Sequence, residues 1–84
     1  MSSEGSASSD RSTDKLVYMA NQIGKFFASQ GADQAPAAIS EHLRKFWDPR
    51  MRAGIIAHLE AGGAGLEPLV RQAVERLRDM TAAR

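Results

Sequence analysis

The residues best suited to chemistry or binding lie in one stretch of the chain, between His42 and Arg52. This stretch holds the only Trp, two adjacent aromatic residues and four of the eleven basic residues. Trp and Arg are the side chains most often found as energetic anchors at protein interfaces. The composition therefore predicts a partner-binding surface, which we expect to be formed by Arg44, Lys45, Trp47, Arg50 and Arg52.

The middle of this stretch should interrupt a helix. Pro suits the first position of a helix, and an Asp just before it can cap the free amides. Asp48-Pro49 therefore predicts that one helix ends near Phe46 or Trp47 and that another begins at Pro49. Because adjacent residues of a helix point about 100° apart, Phe46 and Trp47 cannot both face one core. We expect Phe46 in the core and Trp47 at the rim or against a partner.

The remaining apolar residues recur at helical spacings of three and four residues. They predict helices over residues 14–30, 36–46 and 49–61, and a fourth from Pro68 to the last turn, with Thr13 as the first cap. No segment alternates apolar and polar residues for long enough to be a strand. The fold class predicted for residues 13–84 is therefore all-α, a small bundle of four short helices.

Glycine and charge add detail to this picture. Gly24 interrupts the first helix at a cost of about 1 kcal/mol relative to Ala, which indicates either close approach of another backbone or simple drift. Residue pairs four apart predict exposed ion pairs within the second and fourth helices. These pairs are Glu41 with Lys45, Glu67 with Arg71, and Arg71 with Glu75.

Residues 1–12 differ from the rest of the chain in composition. They contain six Ser, one Gly and no large apolar residue after Met1, so they cannot offset the entropy of ordering. We expect a disordered Ser-rich tail that is not a secretory signal. The 84 residues bury only about 60% of their unfolded surface. A core this small, without any Cys for a disulfide, suggests dependence on a partner.

Other kinds of site find little support in the sequence. The two histidines, His42 and His58, have no converging ligands for a metal, and no hydroxyl lies in a nucleophile motif. Gly62-Gly63 and Gly65 are followed by Leu-Glu-Pro, not by the Lys and Ser or Thr of a phosphate loop. We therefore expect no catalytic, cofactor-binding or metal-binding residue. A small helical DNA-binding protein is the less favoured alternative, because the net charge is only +1.

Three strings of residues carry a resemblance to a known family. They are Lys-Phe-Trp-Asp-Pro-Arg-Met-Arg over residues 45–52, Asp-Lys-Leu-Val-Tyr-Met-Ala-Asn-Gln-Ile over residues 14–23, and Ile-Ala-His-Leu over residues 56–59. With them the chain resembles the delta subunit of soluble NAD-dependent formate dehydrogenase, over roughly residues 14–77. The Phe-Trp-Asp-Pro-Arg-Met core is the specific part, and the other helices match mainly in spacing.

The resemblance implies a small accessory chain of a cytoplasmic, molybdenum-containing bacterial complex. In that complex a large alpha subunit oxidises formate at a bis-molybdopterin guanine dinucleotide centre, and iron–sulfur clusters carry electrons to FMN, which reduces NAD. The delta subunit is expected to hold none of these cofactors. Its implied partners are the larger subunits, above all the alpha subunit. Its implied role is to support quaternary structure, or alternatively to act as a transient maturation factor for molybdenum cofactor loading, with no membrane association.

Overall fold

The computed structural model describes the backbone of residues 2–82 and the side chains of residues 12–82. Within that part of the chain the structure is all-α, with four helices: α1 (Ser2–Ala28), α2 (Ala35–Phe46), α3 (Pro49–Glu60) and α4 (Pro68–Ala82). The prediction of a four-helix, all-α bundle is confirmed. No helix in residues 2–82 is long and apolar enough to cross a membrane.

The first helix differs most from the prediction. Its helical backbone is Ser2–Ala28, so Thr13 lies inside helical backbone and does not mark the helix start. The disordered tail expected over residues 1–12 falls, apart from Ser12, outside the residues whose side chains are described, and it stays a prediction.

Prolines set the starts of the other three helices. Pro lies at the first or second position of α2 and α3 and opens α4, where its missing N–H is not needed. Asp48 caps α3 as expected, because its Oδ1 accepts a hydrogen bond of 2.9 Å from the amide of Met51. The start and end of α2 and α3 therefore agree with the sequence prediction to within one residue.

The core is formed by all four helices around α4. Ile39, Leu43, Ile55, Val70, Val74 and Leu77 are its largest fully buried side chains. Leu16, Met19, Ile23 and Phe27 of α1 are partly buried and pack against this cluster. The core is thus aliphatic for the most part, and α1 covers one side of it.

Gly24 explains how closely α1 approaches α4. A Cβ placed on Gly24 would overlap Cγ2 of Val70 and would lie 3.7 Å from Cδ1 of Ile39. The helix accepts the cost of a mid-helix Gly because no side chain fits between these helices. Of the two explanations left open by the sequence, close packing is the correct one, although the neighbours are side chains and not backbone.

The connection between α3 and α4 is held by side chains from distant positions. The amide of Asn21, on α1, donates to the carbonyl oxygen of Gly65 at 2.9 Å and accepts from the amide of Glu67 at 3.1 Å. His58 donates from Nε2 to the carbonyl of Ala64 at 2.7 Å. These bonds fix a glycine-rich segment against α1 and α3.

Arg71 also serves this connection and does not form the expected ion pairs. Its guanidinium donates to the carbonyl oxygens of Gly62 and Gly63 at 2.8 and 3.2 Å. Within the described residues it makes no salt bridge to Glu67 or Glu75, so that prediction is wrong. The carbonyls beyond the end of α3 attract the cation because they lie at the negative end of the helix dipole.

Candidate functional site

The corner between α2 and α3 was expected to offer Trp47 to a partner while Phe46 filled the core. The structure reverses the two residues: Trp47 is 5% exposed and belongs to the core cluster, whereas Phe46 is 72% exposed. This part of the prediction is wrong. Any contact that Trp47 makes with a partner is limited to that small exposed fraction.

Helix geometry gives the reason for the reversal. Trp47 is the C-cap of α2, and its amide still bonds the carbonyl of Leu43 at 3.0 Å. It therefore continues the row Ile39, Leu43, Trp47, in which each residue is rotated by only about 40° from the one before. Pro36 and Ser40 are also buried, so the buried face of α2 is centred on the side of Leu43 and Trp47. Phe46 lies at the edge of that face, where the helix surface becomes exposed to solvent.

Arg52 is engaged inside the chain. Its guanidinium Nη1 donates to the carbonyl oxygen of Arg44 at 3.1 Å and to the carbonyl oxygen of Trp47. Carbonyls in the last turn of a helix have no partner within the helix, and a cation there also interacts favourably with the helix dipole. Arg52, on α3, therefore closes the end of α2 and holds the corner together.

We expect Arg52→Ala to lower the free energy of unfolding by about 1–2 kcal/mol, because it removes a charged donor from two helix-end carbonyls. Arg50→Ala is the matched control: Arg50 is exposed on the same helix, and an exposed substitution of this kind changes stability by only about 0.5 kcal/mol. Urea unfolding followed by the fluorescence of Trp47 measures both. Equal effects of the two substitutions would show that Arg52 does not brace the corner.

Arg44 is paired on the surface. Its Nη2 lies 2.9 Å from Oε1 of Glu41, three residues earlier, and both side chains are half exposed. Glu41 was expected to pair with Lys45 and pairs with Arg44 instead. The hydrogen bond from Arg44 lowers the pKa of the Glu41 carboxyl below its ordinary value and raises that of Arg44.

The five residues predicted to bind a partner do not share one surface. Arg44 and Arg52 border an open groove between α3 and α4, with Leu77 and Met80. Arg50 borders a second groove, of about 690 Å³, between α1 and α3. Lys45 is exposed on α2. Whether these residues contact a partner stays a prediction.

A cluster of aromatic residues beside the corner was missed at the sequence level. Phe26 and Phe27 have ring centroids 5.2 Å apart, Phe27 and His42 5.9 Å, and His42 and Phe46 4.8 Å. The rings form a continuous row from α1 to α2. His42 is half-buried, with its ring between those of Phe27 and Phe46. Phe26 lies at helical spacing from Met19 and Ile23, which predicts a core-facing residue, but it is 58% exposed.

The groove between α1 and α3 has an apolar floor and a basic border. Leu16 and Met19 of α1 and Met51 of α3 line it, together with Lys15 and Arg50. In the described part of the chain, no group of three or more His, Cys, Asp or Glu residues is placed to hold a metal ion.

The fold and these surfaces define a class of protein: a small all-α chain with a thin core and an exposed aromatic row. Residues 15–74 match the model of a protein family described as the NADH-dependent formate dehydrogenase delta subunit, FdsD. Since the match covers well over half of the chain, the chain belongs to this family. Neither a curated protein nor a solved structure matches it.

Proposed function

We propose that this chain is a non-catalytic accessory subunit that supports the quaternary structure of an NAD-dependent formate dehydrogenase. The observation that carries the proposal is the family match over residues 15–74, which includes about half of α1, all of α2 and α3, and about half of α4. The exposed phenylalanines support it, because large apolar side chains at a surface mark sites of interaction when they are contiguous.

The proposed place of this chain is beside the larger subunits of a cytoplasmic bacterial complex, with the molybdenum-containing alpha subunit as its main partner. The bis-molybdopterin guanine dinucleotide, the iron–sulfur clusters, FMN and NAD are assigned to those other subunits. The chemistry of the donor set agrees for the clusters: the sequence contains no Cys, and Cys thiolates are the usual ligands of iron–sulfur centres. No step of formate oxidation is therefore assigned to this chain.

Stoichiometry in the purified enzyme tests the proposal. With an affinity tag on the alpha subunit, we expect one equivalent of this chain per alpha subunit in active enzyme, measured by native mass spectrometry. Deleting the gene for this chain should reduce the fraction of fully assembled complex, while any complex that does assemble keeps its turnover per molybdenum.

Two outcomes would overturn this role. Active enzyme that contains far less than one equivalent of this chain would indicate a transient maturation factor. Complex of full size and full cofactor content, obtained without this chain, would show that assembly does not need it.

A further inference from the structure

We propose that one side of the bundle docks an amphipathic helix of a partner subunit, whose apolar residues are flanked by carboxylates. The inference rests on the proposed function and adds to it the surface and the chemistry of the partner segment. We call this surface the aromatic face; it consists of Met19, Phe26, Phe27, His42, Phe46 and Met51.

The aromatic face draws its side chains from three helices. The row of rings joins Phe26 on α1 to Phe46 on α2, and Met19 and Met51 line one groove between α1 and α3. Met19 precedes Phe26 by seven residues on α1, which is two helical turns or about 10.5 Å. That length suits a bound helix that uses anchors at positions i, i+3, i+4 and i+7.

The composition of the face favours burial against a partner. Phe46 and Phe26 are 72% and 58% exposed, although a Phe side chain gains about 1.5–3 kcal/mol when it leaves water completely. Met19 and Met51 are half-buried, and flexible thioethers adapt well to an incoming apolar side chain. Burying the rings of Phe26 and Phe46 in the core of so small a chain would stabilise it, but both lie outside the core.

Three cations border the aromatic face and determine the charge of the partner. Lys15 and Arg50 line the groove, and Lys45 precedes Phe46 on α2. Within the described residues none of the three makes a salt bridge. Two carboxylates close to this corner are already engaged: Glu41 pairs with Arg44, and Asp48 caps α3.

The same charges argue against a second copy of this chain as the occupant. In a two-fold symmetric dimer the same patch lies on both sides of the interface. The basic border of one copy would then meet the apolar and basic side chains of the other copy's patch, and like charges opposed across an interface cost several kcal/mol. A different chain with acidic residues beside its apolar anchors can contact the apolar side chains of the face and pair with the cations at its border.

The groove between α3 and α4 is a weaker candidate for this docking site. Its two arginines already have partners, since Arg44 pairs with Glu41 and Arg52 donates to helix-end carbonyls. Leu77, which lines that groove, is only 1% exposed. Met80 is 37% exposed there, but no aromatic ring of the described residues lines this groove.

Reconstitution tests the aromatic face directly. The full chain is titrated into formate dehydrogenase purified from cells that lack it, and the Kd is measured by a labelled-protein binding assay. The double substitution Phe26→Ala, Phe46→Ala should raise the Kd by about 100-fold or more, because central aromatic anchors dominate interface energies. Its circular dichroism and Trp47 fluorescence should match the wild type, since both rings are exposed.

Tyr18→Ala is the matched control. Tyr18 is an exposed aromatic residue on the same helix, 65% accessible to solvent, but it lies eight residues before Phe26, about 80° around the helix and about 12 Å along its axis from that ring. We expect it to change the Kd by less than about 3-fold. Equal Kd values for wild type and the Phe26, Phe46 double variant would overturn the aromatic face while leaving the proposed function intact.

Failure of the wild-type chain to bind the depleted enzyme would instead overturn the proposed function, and the inference with it. The chemistry of the occupant is tested by carbodiimide coupling in the intact complex, which joins a Lys amine directly to a carboxylate that it contacts. We expect Lys15 or Lys45 to couple to Asp or Glu residues of a helix in another subunit. Coupling only to a second copy of this chain would overturn the choice of partner.

Discussion

Trp47→Ala is expected to lower the free energy of unfolding by about 3–5 kcal/mol, the usual cost of removing a large buried aromatic side chain. The indole is 5% exposed within the core cluster, at the point where α2 ends and α3 begins. A chain of 84 residues has a total stability of only about 4–13 kcal/mol. The variant should therefore unfold at a much lower urea concentration, as measured by far-ultraviolet circular dichroism.

Phe46→Ala, one residue away, is the control. Its ring is 72% exposed, so its loss should change the free energy of unfolding by less than about 1 kcal/mol. The two neighbours thus separate stability from association: Trp47 is needed for the fold, and Phe46 is proposed to act in binding. If Phe46→Ala destabilised the chain as much as Trp47→Ala, the assignment of the two rings would be incorrect.

The helix boundaries at this corner could be predicted because they depend on local chemistry. Proline and a capping carboxylate act within a few residues of their own positions, and Pro49 and Asp48 set the start of α3 as expected. Which of Phe46 and Trp47 is buried, in contrast, could not be decided from the spacing of apolar residues. Four-residue spacing from Ile39 through Leu43 leads to Trp47, but three- and four-residue spacings both occur on one helix face, so spacing alone did not decide between the two.

The contacts that hold the connections could not be predicted from local sequence. Asn21 bonds the backbone 44 and 46 residues further along the chain, and Arg52 reaches the carbonyl of Arg44, on the preceding helix. Long polar side chains have many partners within reach, and only the packing of the helices selects one. The same limit applies to the aromatic row, because Phe27 and His42 meet only after α1 and α2 have packed.

The structure shows that two arginines at the corner between α2 and α3 already have partners within the chain. Arg52 donates to the carbonyls at the end of α2, and Arg44 forms a surface ion pair with Glu41. Lys45 and Arg50 remain exposed without an ion pair in the described part of the chain. The partner-binding hypothesis therefore moves from the indole and the arginines together to the exposed phenylalanines, with Lys45 and Arg50 at the border of the surface.

Gly24→Leu is expected to cost about 3 kcal/mol or more, because it forces four extra carbons into packed space where overpacking alone costs about 1–3 kcal/mol. Even a single Cβ on Gly24 overlaps Val70 Cγ2. Val70 is 1% exposed, and its β-branched side chain has little freedom to turn away. The substitution should separate α1 from α4 and lower the urea midpoint.

Two further substitutions isolate the cause of that loss. Gly54→Ala is the matched mid-helix control: its Cβ would lie 2.8 Å from Leu16 Cδ1, the end of a flexible, half-buried side chain that can move. The gain in helix propensity, about 1 kcal/mol, should leave this variant as stable as the wild type or more so. Gly24→Ala should destabilise the chain, and adding Val70→Ala should cost less than the sum of the two single changes, because the overlapping methyl is then absent. Strict additivity in that double-mutant cycle would mean that contact with Val70 is not the reason α1 carries glycine at this position.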